Sequence, residues 1–169
     1  MFILGHTGIG SRMLGPLREL LPARWILLGC LLPDLIDKPL FYGLLWLEGH
    51  PDRLITGTRT FGHTGLLLLL LACIALVSRS RPVWAVAAGV LTHLLLDATG
   101  ELLTGAEPDT TIWLAIFFPR FGVRFPVAHF ASLLEHLRLT SQSIYVIAGE
   151  LAGGAILVRA WLLRRRAKA

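Results

Sequence analysis

A histidine and an aspartate stand four residues apart inside an otherwise apolar stretch, at His93 and Asp97 in the string Thr92–Asp97. On a helix these two side chains share one face, about one turn apart. A carboxylate without a partner is costly in an apolar environment, so it normally pairs, lines a wet cavity or binds a metal. The spacing therefore predicts half of a metal site, and the other half must come from elsewhere in the chain.

Five further ionisable residues are predicted to lie at a similar depth in apolar or membrane-adjacent segments: His6, Asp34, Asp37, His63 and Glu150. Three imidazoles with several carboxylates suit Zn²⁺ or another divalent first-row metal such as Mn²⁺, because these ions take nitrogen and oxygen ligands. The number of carboxylates leaves room for one or two ions. We therefore predict that all seven side chains are candidate metal ligands.

Each candidate also has a structural interpretation, which the residue pattern leaves open. His6 can be a loop residue, and His63 can be an interfacial residue at a helix start. Asp34, which follows a proline, can cap a helix. Glu150 can be neutral and hydrogen-bonded within a bundle, and His93 with Asp97 can be a structural hydrogen-bonded pair.

The composition is that of a membrane protein. The 169 residues are enough for one domain, and 54% of them are hydrophobic, with a mean hydropathy of +0.67, which exceeds that of ordinary soluble domains. The net charge is +5, and the basic residues gather beside hydrophobic runs, at Arg79 and Arg81 and in the tail from Arg164 to Lys168. This arrangement favours anionic membrane lipids, and not nucleic acid, as the partner.

We predict an all-α fold, a polytopic membrane helical bundle with about three full spans plus short re-entrant or interfacial helices. Residues 1–169 then form a single integral membrane domain. Residues 1–24 mix charge with leucine, as in an interfacial segment. Within residues 25–48 the apolar runs are too short to span a bilayer and are interrupted at Pro33 and Pro39, which predicts a broken or re-entrant helix pair.

A helical hairpin is predicted over residues 63–103, in which a basic turn at Arg79 and Arg81 joins two apolar helices. Counting outward from this turn, His63 lies level with a position close to Asp97. The hairpin therefore predicts that these two side chains lie at similar depth, at the end away from the turn.

An aromatic and amphipathic interfacial segment is predicted over residues 112–139, and the last span over residues 144–163. The last span carries Glu150 among glycines that permit close helix contact. The positive-inside rule places the basic turn and the C-terminal tail in the cytoplasm of an inner-membrane protein. The candidate site then faces the outer side. Arg12, Arg18 and Arg24 would fall on that side too, against the rule, so the sequence leaves open the side on which the N-terminal segment lies.

Four strings occur in an order that resembles a known family: His6, LPDLIDKP at 32–39, RTFGHT at 59–64 and THLLLD at 92–97. Together, over about residues 1–120, they resemble the LexA-regulated, membrane-bound metal-dependent hydrolase family. That family has an early His, a Pro-Asp-x-Asp-type string, a His-Arg-Gly-x-Thr-His-Ser box and a final His-x-x-x-Asp.

The resemblance implies a divalent metal site and a hydrolytic activity. The family's motif positions fall on these residues: His6, Asp34, Asp37, Arg59, His63, His93 and Asp97. Thr58 stands where the family's box begins with His, and Thr64 where it ends with Ser, which leaves one ligand of the usual set without an equivalent. The family's hydrolase label rests largely on similarity to zinc-dependent phospholipases C, which also use His-x-x-x-Asp helices, so the resemblance implies little about the substrate.

Two classes of function are therefore expected. The first is hydrolysis of a phosphoester in a lipid or lipid-linked substrate by metal-activated water, with Asp34 or Asp37 as general base and Arg59 neutralising phosphate charge. The alternative is a non-enzymatic metal or proton transport or relay protein. A relay needs polar groups on both sides of the membrane midplane, whereas here they cluster toward one face, which favours the hydrolase. A purely structural role for the polar residues is the third possibility.

Overall fold

The computed structural model describes residues 3–48, 59–104 and 141–167, and every regular element in these ranges is a helix. The helices are α1 (Ile3–Met13), α2 (Leu17–Leu20), α3 (Ala23–Glu48), α4 (Gly65–Ser78), α5 (Arg81–Thr104) and α6 (Ser141–Arg166). The predicted all-α class is confirmed. The interfacial segment predicted over residues 112–139 lies outside the described residues.

Two of the described helices are long and apolar enough to cross a membrane, α5 over Arg81–Leu103 and α6 over Ile144–Arg166. α4 is also apolar but has only 14 residues, fewer than the roughly 20 that a full span needs. Three full spans were predicted, and two helices within the described ranges meet the length. Only 11% of the apolar window of α6 is buried, so this helix presents its apolar residues outward.

α3 and α5 form a central pair whose backbones lie close together. A Cβ atom added at Gly29 would lie 2.2 Å from the carbonyl oxygen of Val86, and one added at Gly89 would lie 2.4 Å from that of Ile26. No side chain fits at such distances, so glycine at both positions permits the close crossing. Ile26 is itself almost fully buried there.

α3 is one continuous helix although it contains Pro33 and Pro39. The broken or re-entrant pair predicted over residues 25–48 is therefore wrong. Each proline removes one backbone donor and distorts the helix locally, but neighbouring helices can stabilise such a helix. Here α3 packs on α5 at Gly29, about one turn before Pro33, and the loop at Gly62 lies against the Pro33 backbone.

α4 and α5 are joined by a tight turn and form a hairpin. The Thr64 hydroxyl accepts a hydrogen bond from the backbone N–H of Leu67 at 3.2 Å, which caps α4 directly after His63. Arg79 adopts a left-handed conformation, with φ of 50°, and ends α4. His63 therefore lies at the end of the hairpin opposite the basic turn.

α1 lies against α6, and glycines permit this contact as well. A Cβ atom added at Gly153 would lie 2.1 Å from the carbonyl oxygen of Leu4. The predicted interfacial segment 1–24 thus contains a helix with one face buried in the bundle, including His6.

The basic residues of α1 and α6 gather at one end of the bundle, because the two helices run in the same direction. Arg12 interacts electrostatically with Arg18, Arg159 and Arg164. The sequence left open on which side the N-terminal arginines lie, and in the structure Arg12 and Arg18 lie at the same end of the bundle as the basic tail.

Candidate metal centre

His93, on α5, is fully buried, and one of its ring nitrogens has a partner that can only accept. Its Nδ1 lies 2.7 Å from the backbone carbonyl oxygen of Cys30 on α3. A carbonyl oxygen has no proton to give, so Nδ1–H of His93 donates this hydrogen bond. In the neutral ring Nε2 is then an unprotonated acceptor, the form in which histidine binds a metal.

His63 is held in the same way by a carboxylate. Its Nδ1 lies 2.7 Å from Oδ2 of Asp37. Asp37 is fully buried and also accepts hydrogen bonds from the backbone N–H and hydroxyl of Thr60 and from the backbone N–H groups of Gly62 and His63. A carboxylate that accepts this many donors is ionised, so Nδ1 of His63 donates and Nε2 is the free acceptor.

The loop before α4 is shaped around Asp37 and α3. A Cβ atom added at Gly62 would lie 2.4 Å from the carbonyl oxygen of Pro33, so only glycine permits the loop to lie this close to α3. The hydrogen bonds to Asp37 then orient the backbone from Thr60 to His63. Asp37 is thereby a positioning residue for His63.

The free nitrogens of His63 and His93 point at each other. Their Nε2 atoms are 3.1 Å apart, although both Nδ1 partners leave Nε2 without a proton. Two lone pairs at this distance repel, so a positive charge, either a proton on one ring or a metal ion, would stabilise the arrangement. Asp34 and Asp97 place carboxylate oxygens 3.6 Å from Nε2 of His63.

His6 brings a third imidazole from α1. Its ring stacks on that of His93 with centroids 3.8 Å apart and an interplanar angle of 13°. Its Nε2 lies 3.4 Å from Oδ1 of Asp97. His6 is only 1% exposed, so this imidazole belongs to the buried site and not to a loop.

Two groups of side chains in the described residues could hold a metal ion, and they share His93. We call His6, His93 and Asp97 the buried triad, because all three are buried. We call Asp34, His63 and His93 the half-buried triad, because Asp34 and His63 retain partial exposure. Within each triad the ligand atoms lie within 4.8 Å of one another, and their nitrogen and oxygen donors suit Zn²⁺ or a similar ion.

The charges around the triads also favour a cation. Nη2 of Arg59 lies 3.0 Å from Oδ2 of Asp97, and Arg59 pairs with Glu101 as well. Nζ of Lys38 lies 2.7 Å from Oδ2 of Asp34. The described site thus has two basic side chains and four carboxylates: Asp34, Asp37, Asp97 and Glu101. With neutral imidazoles this leaves an excess of two negative charges, which one divalent ion would balance.

Two of the predicted ligands lie outside both triads. Asp37 supports His63 from behind, with both oxygens occupied by donors. Glu150 accepts hydrogen bonds from the backbone N–H groups of Leu4 at 3.0 Å and Gly5 at 2.8 Å, where a carboxylate caps the N-terminal end of α1. Its predicted depth near His93 does not bring it into either triad.

Two charged residues of the site were not predicted from the sequence, Lys38 and Glu101. Both were detectable by helical spacing, since Lys38 lies four residues after Asp34 and Glu101 four residues after Asp97. Such pairs share a helix face. No sequence pattern could indicate the backbone carbonyl of Cys30 as the partner of His93, because every residue has a backbone carbonyl.

Comparison of the chain with protein-family models, with curated proteins and with solved structures found no match.

Proposed function

We propose that the chain is a membrane-embedded metal-dependent hydrolase that acts on a phosphoester of a lipid or lipid-linked substrate. The observation that carries the proposal is the 3.1 Å approach of the two Nε2 atoms of His63 and His93, each ring held by an acceptor behind it. Preorganised imidazoles with carboxylates around them are typical of a zinc site, and the two triads accommodate one or two ions. Manganese is the second choice of metal.

The proposed chemistry divides the roles among the residues. A bound divalent ion supplies Lewis acidity and lowers the pKa of water toward neutrality. Asp34 is the better general base of the two predicted when one ion occupies the buried triad, because it is partly exposed and one of its oxygens pairs with Lys38, whereas Asp37 has both oxygens engaged. Arg59, with 27% of its side chain exposed, is placed to neutralise charge on a phosphate beside Asp97.

A lipid substrate is favoured by the surroundings of the site. The site lies among helices that include two candidate spans, and α6 turns most of its apolar surface outward. The arginines of α1 and α6 gather at the other end of the bundle. Under the positive-inside rule this supports a cytoplasmic C-terminal tail in the inner membrane, with the site toward the outer face. The motif resemblance to the membrane-bound metal-dependent hydrolase family agrees with this proposal, although Thr58 replaces the family's histidine.

A metal or proton relay is the alternative, because a proton on one imidazole would also satisfy the facing Nε2 atoms. A relay, however, needs polar groups along the rest of the path. Among the described residues, the buried side chains between the site and the basic end are mainly apolar, among them Ile26, Ala85 and Val90. This one-sided distribution favours the hydrolase.

The activity is tested with detergent-purified protein supplied with zinc or manganese, on phospholipids and polyprenyl phosphates, with water-soluble phosphoesters for comparison. We expect release of a phosphate or a phosphorylated headgroup from a lipid substrate. Asp34→Asn should lose at least about 100-fold in rate at saturating metal, where a loss of metal affinity no longer contributes. Cys73→Ala, a change at an exposed cysteine on α4, is the matched control and should retain full activity. Metal-loaded protein that hydrolyses none of these substrates would contradict the proposal.

A further inference from the structure

A cleft at the basic end of the bundle combines arginines with an apolar wall. Its volume is about 130 Å³, which suits a headgroup and not a whole lipid. It lies where α1, α2, α3 and α6 meet, and its lining includes Arg12, Arg18, Arg164, Ile26, Leu27 and Trp161. None of these residues belongs to either triad.

The arginines of the cleft form a concentrated positive charge. Arg12 interacts electrostatically with Arg18, Arg159 and Arg164, and slight desolvation together with these like charges lowers the pKa of its exposed guanidinium. Within the described ranges, Arg12, Arg18 and Arg164 form no ion pair with a carboxylate. Like charges held together repel, so an anion between them would relieve the repulsion.

The apolar part of the cleft identifies the class of anion. Leu27 of α3 lines one side, and Ile156, Leu157 and Trp161 of α6 line the other. The guanidinium of Arg165 lies over the Trp161 ring, 4.0 Å from the ring centroid, which is a cation–π contact. Indole side chains are enriched at the headgroup level of membranes. A free phosphate ion would gain nothing from these side chains, whereas a lipid would pack its glycerol and first acyl carbons on them.

We propose that this cleft binds the headgroup of an anionic phospholipid, with Arg12, Arg18 and Arg164 around the phosphate and Leu27 and Leu157 against the first acyl carbons. Basic pockets between membrane helices are a recognised way of binding such headgroups. This site is separate from the metal centre and does not depend on the proposed activity. It would link α1, which carries His6, to α6 through a shared lipid.

The test is native mass spectrometry of the detergent-purified full chain, mixed with phosphatidylglycerol and phosphatidylcholine of identical acyl chains. Wild-type protein should retain one molecule of phosphatidylglycerol in preference to phosphatidylcholine. Arg12→Gln with Arg18→Gln should lower the affinity for it by about fivefold for each arginine removed. Arg79→Gln with Arg81→Gln removes the same charge from the α4–α5 turn and should leave retention close to the wild-type level.

Three results would overturn the proposal. One is equal retention of both lipids by the wild-type protein, a comparison that needs no variant to fold. Another is an equal loss of phosphatidylglycerol retention in the cleft variant and in the turn variant, which would indicate that the lipid is attracted by the overall positive charge and not by the cleft. The third is displacement of the lipid by millimolar glycerol 3-phosphate, which would make the cleft a site for any small phosphate.

Discussion

The two triads share His93 but are built by different means. In the buried triad, His6 is brought to Asp97 by helix packing. α1 lies against α5 at Gly10, where an added Cβ atom would lie 2.9 Å from the Thr92 hydroxyl, and against α6 at Gly153, and its N-terminal end is capped by Glu150. In the half-buried triad, His63 is brought to Asp34 by hydrogen bonds from a loop and an imidazole to Asp37. One triad therefore depends on close backbone contact and the other on a single buried carboxylate.

This difference separates ligand binding from ligand placement. Asp97 lies within 3.4 to 3.7 Å of all three imidazoles, whereas Asp34 comes this close only to His63. Changes at the ligands should therefore alter metal affinity directly. Changes behind the ligands should affect mainly the triad that they support.

The largest effect is expected from the two ligand carboxylates. Asp97→Asn should lower the metal affinity by at least about 100-fold. Loss of a residue that only orients a ligand lowers metal affinity by about 10–100-fold, and loss of a charged ligand should lower it further. Asp34→Asn should weaken it less, since fewer imidazoles lie beside Asp34. Competition with a chelator of known affinity measures both. Equal losses in the two variants would remove the distinction between the triads.

Asp37→Asn should produce the next largest effect. The amide would direct N–H groups at backbone N–H donors of the loop, so His63 would lose its fixed orientation. We expect metal affinity to fall by about 10–100-fold and the melting temperature to fall as well, measured by chelator competition and thermal unfolding in detergent. Unchanged metal affinity in this variant would contradict the positioning role of Asp37.

Two adjacent glycines test the packing behind the buried triad. Gly153→Ala should destabilise the protein by about 1–3 kcal/mol through overpacking, because its Cβ would lie 2.1 Å from the Leu4 carbonyl oxygen. Gly154→Ala is the matched control, since its Cβ would meet only a side-chain atom of Leu4 at 3.5 Å. Thermal unfolding of both variants is the measurement. Equal stabilities would show that α1 does not lie this close to α6.

Glu150→Gln should have the smallest effect. The isosteric amide keeps one acceptor for the N-terminal end of α1 but loses the charge that favours this end of a helix. A loss of stability of about 1 kcal/mol is expected, with metal content close to wild type. If metal content instead fell as far as in Asp97→Asn, Glu150 would be a ligand after all.

The sequence predicts best what depends on one helix or one hairpin. His93 and Asp97 are placed together by helical periodicity, and their Nε2 and Oδ2 atoms are 3.7 Å apart. The depth of His63 relative to Asp97 follows from the short turn between α4 and α5. Nε2 of His63 and Oδ2 of Asp97 are 3.6 Å apart. Both positions follow from the rise of a helix along its axis.

The sequence predicts poorly what depends on contacts between separate segments. The depth of Glu150 can be counted from the sequence, but the segment that it contacts cannot. In the structure it contacts the N-terminal end of α1. Asp34 and Asp37 look equivalent in the sequence, yet the loop from Thr60 to His63 engages Asp37 and leaves Asp34 for the site. Pro33 and Pro39 suggested a break, but packing on α5 keeps α3 continuous.

The metal content of purified protein tests the central claim most directly. Plasma mass spectrometry should find about one or two equivalents of zinc or manganese in wild-type protein and in Cys73→Ala. His93→Ala should lose nearly all of it, because both triads lose their shared ligand. Absence of metal from folded wild-type protein purified with these ions present would contradict the account, and would mean that a proton, and not a metal, holds His63 and His93 together.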